Sequence, residues 1–158
     1  MLFLISCKQK SENYTHVILY KDSIYTANIK YINTPEKALI SGYLFAYGNE
    51  CIANSNKNKC EILYELNITD ECNNDHVSFL KKWFKNDDLM QYKLRNCPNL
   101  PHNFATQNSI KKIVLKRSSD TLTITIKASG MNTIQEKFWT IEKTDSYLIK
   151  DNSFIKIN

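Results

Sequence analysis

The sequence is short of glycine, proline and arginine: its 158 residues include three Gly, three Pro and two Arg. Gly42, Gly48 and Gly130 are too few and too scattered to build a glycine-rich phosphate cradle, so the usual nucleotide-binding loops are excluded. The composition equally excludes collagen, low-complexity sequence and a coiled coil. No uninterrupted apolar run approaches the ~20 residues that a membrane-spanning helix needs. Cationic residues outnumber acidic ones by 21 to 16, yet 19 of the 21 are Lys. The guanidinium fork that reads bases and phosphates is therefore nearly missing, being confined to Arg95 and Arg117. Lys81, Lys82 and Lys85 fall on one expected helix and Lys111, Lys112 and Lys116 on one expected strand, whereas a nucleic-acid footprint is a concentrated stripe. Solvated faces are the better reading, and no nucleic-acid partner is expected. With 18 Asn and 18 Ile beside the 19 Lys, the lysine content fits an AT-rich genome and says little about partners.

Catalytic signatures are missing as well. His16, His76 and His102 are isolated, and neither H-E-x-x-H nor G-x-S-x-G occurs. Asp87-Asp88 and the pair Glu71 and Asp75 are helix-end carboxylates, which capping and the helix dipole explain. No nucleophile, base and orienting group can be named together. The expectation is no enzyme, no cofactor and no metal site.

What is present begins at the N-terminus, where Met1-Leu2-Phe3-Leu4-Ile5-Ser6-Cys7-Lys8 passes from apolar to polar through a small residue and a cysteine. The segment Leu4-Ile5-Ser6-Cys7 resembles the lipobox of bacterial lipoproteins. The resemblance implies a diacylglycerol thioether on Cys7, cleavage before it, and anchoring by two or three acyl chains at ~0.8 kcal/mol per buried methylene. Residues 1–6 then read as the remnant of a signal peptide, residues 7–13 as a lipidated tether and residues 14–158 as one domain. The run departs from the family in lacking a basic n-region and a full-length apolar h-region, so a start upstream of Met1 is expected.

Cysteine arithmetic points the same way. Of Cys7, Cys51, Cys60, Cys72 and Cys97, one is spoken for if Cys7 carries lipid, and four remain for two disulfides in an oxidising compartment. Three pairings are possible. Cys51 with Cys60 and Cys72 with Cys97 is favoured, the first closing a polar loop and the second bracketing a helix. The rivals are a zinc site, for which no C-x-x-C pair exists, and five buried thiols in a reducing compartment.

Periodicity supplies the rest. Residues 14–20 and 24–32 are β-branched and aromatic around Lys21-Asp22-Ser23, and read as a hairpin. Thr34 as N-cap, Pro35 in the first turn and Gly48 as a stop predict a buried helix over 35–47. After a polar loop at 54–59, Ile62, Tyr64, Leu66 and Ile68 alternate as in a strand. Asn74 or Asp75 caps a second helix over about 75–86, whose Val77, Phe79, Leu80, Trp83 and Phe84 form one arc of core contacts. A loop over 96–108 carries His102. Strands follow at 110–116, 122–127, 133–142, 147–149 and 154–157, with turns at 117–120, 129–132, 143–145 and Asp151-Asn152. The expected fold is α+β: a curved antiparallel sheet, or roll, packed on one or two helices. Phe138 to Lys143 followed by Tyr147-Leu148-Ile149 resembles the closing hairpins of cystatin-like and NTF2-like rolls.

Three functions compete on these observations, the third being a structural component of the cell envelope. The first is an exported lipoprotein of the cell envelope that binds another protein, as inhibitors and toxin-immunity proteins do, with the membrane reached through Cys7. The second is a roll that holds a small ligand, or performs acid–base chemistry, in a cavity lined by Tyr43, Tyr47, Tyr64, Tyr92 and Tyr147 with a His or Asp among them.

Overall fold

The computed structural model describes residues 13–48, 51, 57–97 and 106–158; the lipobox-like segment with Cys7, and His102, lie outside these. The fold is α+β: a curved, open antiparallel sheet of six strands packed with about five helices. In chain order the strands are β1 (Tyr14–Tyr20), β2 (Ser23–Ile24), β3 (Thr106–Ser118), β4 (Thr121–Asn132), β5 (Lys137–Lys150) and β6 (Ser153–Lys156). They lie side by side as β2-β1-β3-β4-β5-β6.

Alternation explains why these segments are strands. On β4, Leu122, Ile124, Ile126 and Ala128 are buried against the helices, while Thr121, Thr123, Thr125 and Lys127 face out. Bulges at Val17/Leu19 and Ile110/Lys112 reset the alternation, so Ile18 and Leu19 are both buried and Ile110 and Ile113 share the core. Lys21 and Asp22, and again Asp151 and Asn152, hold positive φ in two-residue hairpin turns that suit Asp and Asn.

The helices are α1 (Thr26–Ile29), α2 (Thr34–Tyr47), α3 (Lys57–Glu65), α4 (Asn74–Trp83) and α5 (Asp88–Arg95). Asn33, not Thr34, caps α2: its side chain accepts from Glu36 N at 3.1 Å while Glu36 Oε2 accepts from Asn33 N at 2.8 Å. Leu39, Ile40 and Leu44 of α2 are fully buried and sit at the centre of the core. Asn73 caps α4 through His76 N, and Asp87 caps α5 through Met90 N.

Five helices replace the one or two expected. The segment 62–68 is not a strand, because its buried residues continue the series Lys59, Ile62, Leu63 and Leu66, a helical spacing, and Tyr64 is exposed. A lysine at the first core position hid that period. Strand 24–32 shrinks to Ser23–Ile24, after which Ile29 and Ile32 turn inward one helical step apart. Helix α4 ends at Trp83 rather than 86, and Asp87-Asp88 opens α5. The expected turns at 129–132 and 143–145 are both strand; the chain reverses after Asn132, whose Oδ1 accepts from Ile134 N and Gln135 N.

Cross-links hold the helical layer. Cys51 pairs with Cys60 and Cys72 with Cys97, at Cα separations of 5.6 and 5.5 Å. Lys59, with a side chain only 1% exposed, is salt-bridged to Glu71 at 2.7 Å. Lys93 Nζ donates to the carbonyl of Ala46, tying α5 to the end of α2.

Candidate functional site

One cluster of ionisable side chains lies between the two layers. Strand alternation turns Lys143, Asp145 and Tyr147 of β5 toward the helices. Helix α2 brings Tyr43 and Tyr47 over them, four residues apart on one face, and β6 sets Lys156 opposite Tyr147. Tyr43 Oη donates to Asp145 Oδ2, and the hydroxyls of Tyr43 and Tyr147 are 2.6 Å apart. Since the single Tyr43 proton goes to the carboxylate, Tyr147 is the donor of that second bond. Lys156 Nζ reaches Asp145 Oδ1 at 2.9 Å; Lys143 Nζ lies 3.4 Å from Oδ2 and donates to Tyr47 Oη at 3.1 Å.

The protonation states follow from these contacts. Burial pushes the Asp145 carboxyl up, but hydrogen bonds from Tyr43 and Lys156 with the charges of Lys143 and Lys156 outweigh it. The group is held below its ordinary value. Burial first, and then the bond to Asp145, raise Tyr43 far above the usual phenol range, and burial raises Tyr147 too. Lys143 is raised, chiefly by its bond to Tyr47. A carboxylate held this low is poorly matched to carrying protons at neutral pH. The cleft over the cluster, completed by Asp87, Leu89 and Met90, has a volume of about 160 Å³.

The expected tyrosine cavity is thus realised in part. Tyr43, Tyr47 and Tyr147 meet around an aspartate, whereas Tyr64 and Tyr92 are 73% and 58% exposed on α3 and α5. Sequence reading missed Lys143 and Asp145 by taking them for a turn. The available signal was period two: Ile141, Lys143, Asp145, Tyr147 and Ile149 share one strand face, so the charges had to be inside and paired.

Other singled-out residues are dispersed. His16 stacks on Tyr14 with ring centroids 4.4 Å apart. His76 Nδ1 lies 2.8 Å from the Glu71 carbonyl, and burial depresses its pKa. His76 borders a depression of about 330 Å³ with Lys37, Asn73 and Phe79, and a second, of about 440 Å³, is bordered by Asp22, Asn58 and Lys111. Among the described residues no group of three His, Cys, Asp or Glu is placed to hold a metal ion, and no helix is long and apolar enough to cross a membrane. Searches of protein-family models, of curated proteins and of solved structures find nothing that matches this chain.

Proposed function

We propose that this is an exported, lipid-tethered domain that acts by binding another protein, in the way of exported inhibitors and toxin-immunity proteins, and not by turning over a substrate. The carrying observation is at the end of the β4–β5 hairpin, where Ile134 of the turn and Phe138 near the start of β5 are 81% and 77% exposed. Large apolar side chains left exposed at one end of a hairpin are the kind of anchor that protein interfaces bury. The Asp145 cluster supports the same reading, because its groups are occupied with one another and its cleft falls short of the ~300–1,000 Å³ of ordinary ligand pockets.

Export is supported by the cysteines. Two disulfides belong to an oxidising compartment, and the fifth cysteine, Cys7, is the one a lipobox would modify. The second reading, a small ligand or acid–base chemistry, draws support from the aspartate among three tyrosines. It requires Asp145 to exchange a proton near neutral pH.

A photo-crosslinking residue at position 134, in the lipidated chain in its native envelope, tests the binding role. The expected result is one discrete adduct whose added mass differs from that of a second copy, weakened by Phe138→Ala and not produced from position 64. Adducts of equal yield from both positions, or none from 134, overturn it. Intact mass tests export. A chain beginning at Cys7 with acyl groups, gaining four protons on reduction of its two disulfides, is expected. Five free thiols would sink the export claim.

A further inference from the structure

Strand β5 is paired along nearly its whole length on one side and along only part of the other. Strand β4 follows it from Lys137 to Leu148, but β6 covers only Tyr147 to Lys150, extended by Ile157 N to Ser146 O at 2.8 Å and Ser146 N to Asn158 O. From Phe138 to Thr144 no strand among the described residues lies on that edge. Ser146 directs its N–H and C=O toward β6, and the β4–β5 register is unbroken, so Phe138, Thr140, Glu142 and Thr144 direct theirs into the empty lane. All four are exposed.

Proteins ordinarily guard such an edge with proline, a bulge or an inward-pointing lysine. This one has no proline and no bulge between 137 and 148. Its inward lysine, Lys143, is drawn aside to Tyr47 and Asp145, away from the lane.

We propose that this edge pairs with the same edge of a second copy, antiparallel about a two-fold axis at Ile141, joining two six-stranded sheets into one. The free segment, 138–144, is centred on Ile141, so the pairing that uses all of it sets Ile141 against Ile141 of the second copy. That register places Trp139 beside Lys143 of the second copy, Thr140 beside its Glu142 and Phe138 beside its Thr144. No like charges meet across this register. The neighbouring registers are worse: centring on Thr140 sets Lys137 against Lys143, and centring on Glu142 sets that carboxylate against itself. Self-complementarity of this kind is what a two-fold interface requires. Phe138 belongs both to this edge and to the exposed pair proposed to bind another protein, so the two proposals are separated at Ile134, which lies outside the paired segment, and at Thr140, which lies inside it.

The test is sedimentation of the full chain with both disulfides formed and with Cys7→Ser to prevent lipidation. A concentration-dependent monomer–dimer equilibrium is expected. Thr140→Pro removes an N–H that points into the lane and none that bonds β4, so circular dichroism stays unchanged while association weakens by about tenfold or more, one hydrogen bond being lost at each of two symmetric places. Ile141→Cys, at a non-hydrogen-bonded pair with Cα atoms ~4.5 Å apart, locks a covalent dimer under mild oxidation, whereas Thr15→Cys, exposed on β1, does not. A monomer at every concentration overturns the proposal. So does a dimer that Thr140→Pro leaves intact or that Ile141→Cys fails to lock.

Discussion

The sheet and the helical layer of this domain are held by different forces. Strands β3, β4 and β5 run 13, 12 and 14 residues and pair with one another almost throughout, so each residue is fixed by main-chain bonds to its neighbours. The helices are short: α2 has 14 residues, but α3, α4 and α5 have 9, 10 and 8. Helices below ~12–15 residues are marginal alone, because nucleation costs more than a few turns return. Here those three are the ones that carry cross-links. Cys51–Cys60 ends inside α3, Cys72–Cys97 brackets α4 and α5, and the Lys59–Glu71 bridge joins α3 to the loop before α4. Where the ladder cannot reach, the chain uses covalent and ionic ties.

That contrast can be broken at its ties. Glu71→Ala takes the carboxylate from a buried ammonium and is expected to cost about 3–5 kcal/mol in urea unfolding, the largest effect of the set. Cys72→Ser with Cys97→Ser opens a loop of 25 residues and should cost about 3.5 kcal/mol. Hydrogen exchange then sharpens the comparison: protection falls in α4 and α5 and persists in β3 to β5. Gly42→Ala is next. Its Cβ would lie 2.5 Å from Phe84 Cε2, so overpacking between α2 and the end of α4 costs about 1–3 kcal/mol although alanine is the better helix former. Asn73→Ala, which removes the α4 cap, costs about 1 kcal/mol by thermal unfolding.

The same contrast explains what the sequence made legible. Strand alternation was readable on β4 because Leu122, Ile124 and Ile126 alternate with threonines. Helix α2 was readable because proline and glycine punctuate it. Helix α3 was not, since the lysine at its first core position broke the apolar period and left a false alternation behind. The favoured cysteine pairing agrees with the observed one, since one pair closes a polar stretch of sequence and the other brackets helical sequence. For the site, the tyrosines were legible and the charges were not: Lys143 and Asp145 resemble turn residues until Tyr43 and Tyr47, about a hundred residues away, are placed over them.

Whether that cluster fastens the two layers or exchanges protons is decided by one group. A carboxyl whose folded pKa lies below its unfolded value of about 3.9 adds stability above that pH and loses it as pH falls through the folded value. Tyr43, raised in the fold, adds stability below the ordinary phenol value of about 10 and loses it as pH rises beyond. The direct measurement is an NMR titration of the Asp145 carboxyl carbon. The account predicts that it titrates below the ordinary carboxylate value, held there by Tyr43, Lys156 and Lys143. A carboxyl titrating between about 6 and 7 would contradict it, and would make Asp145 an acid–base group in a working site.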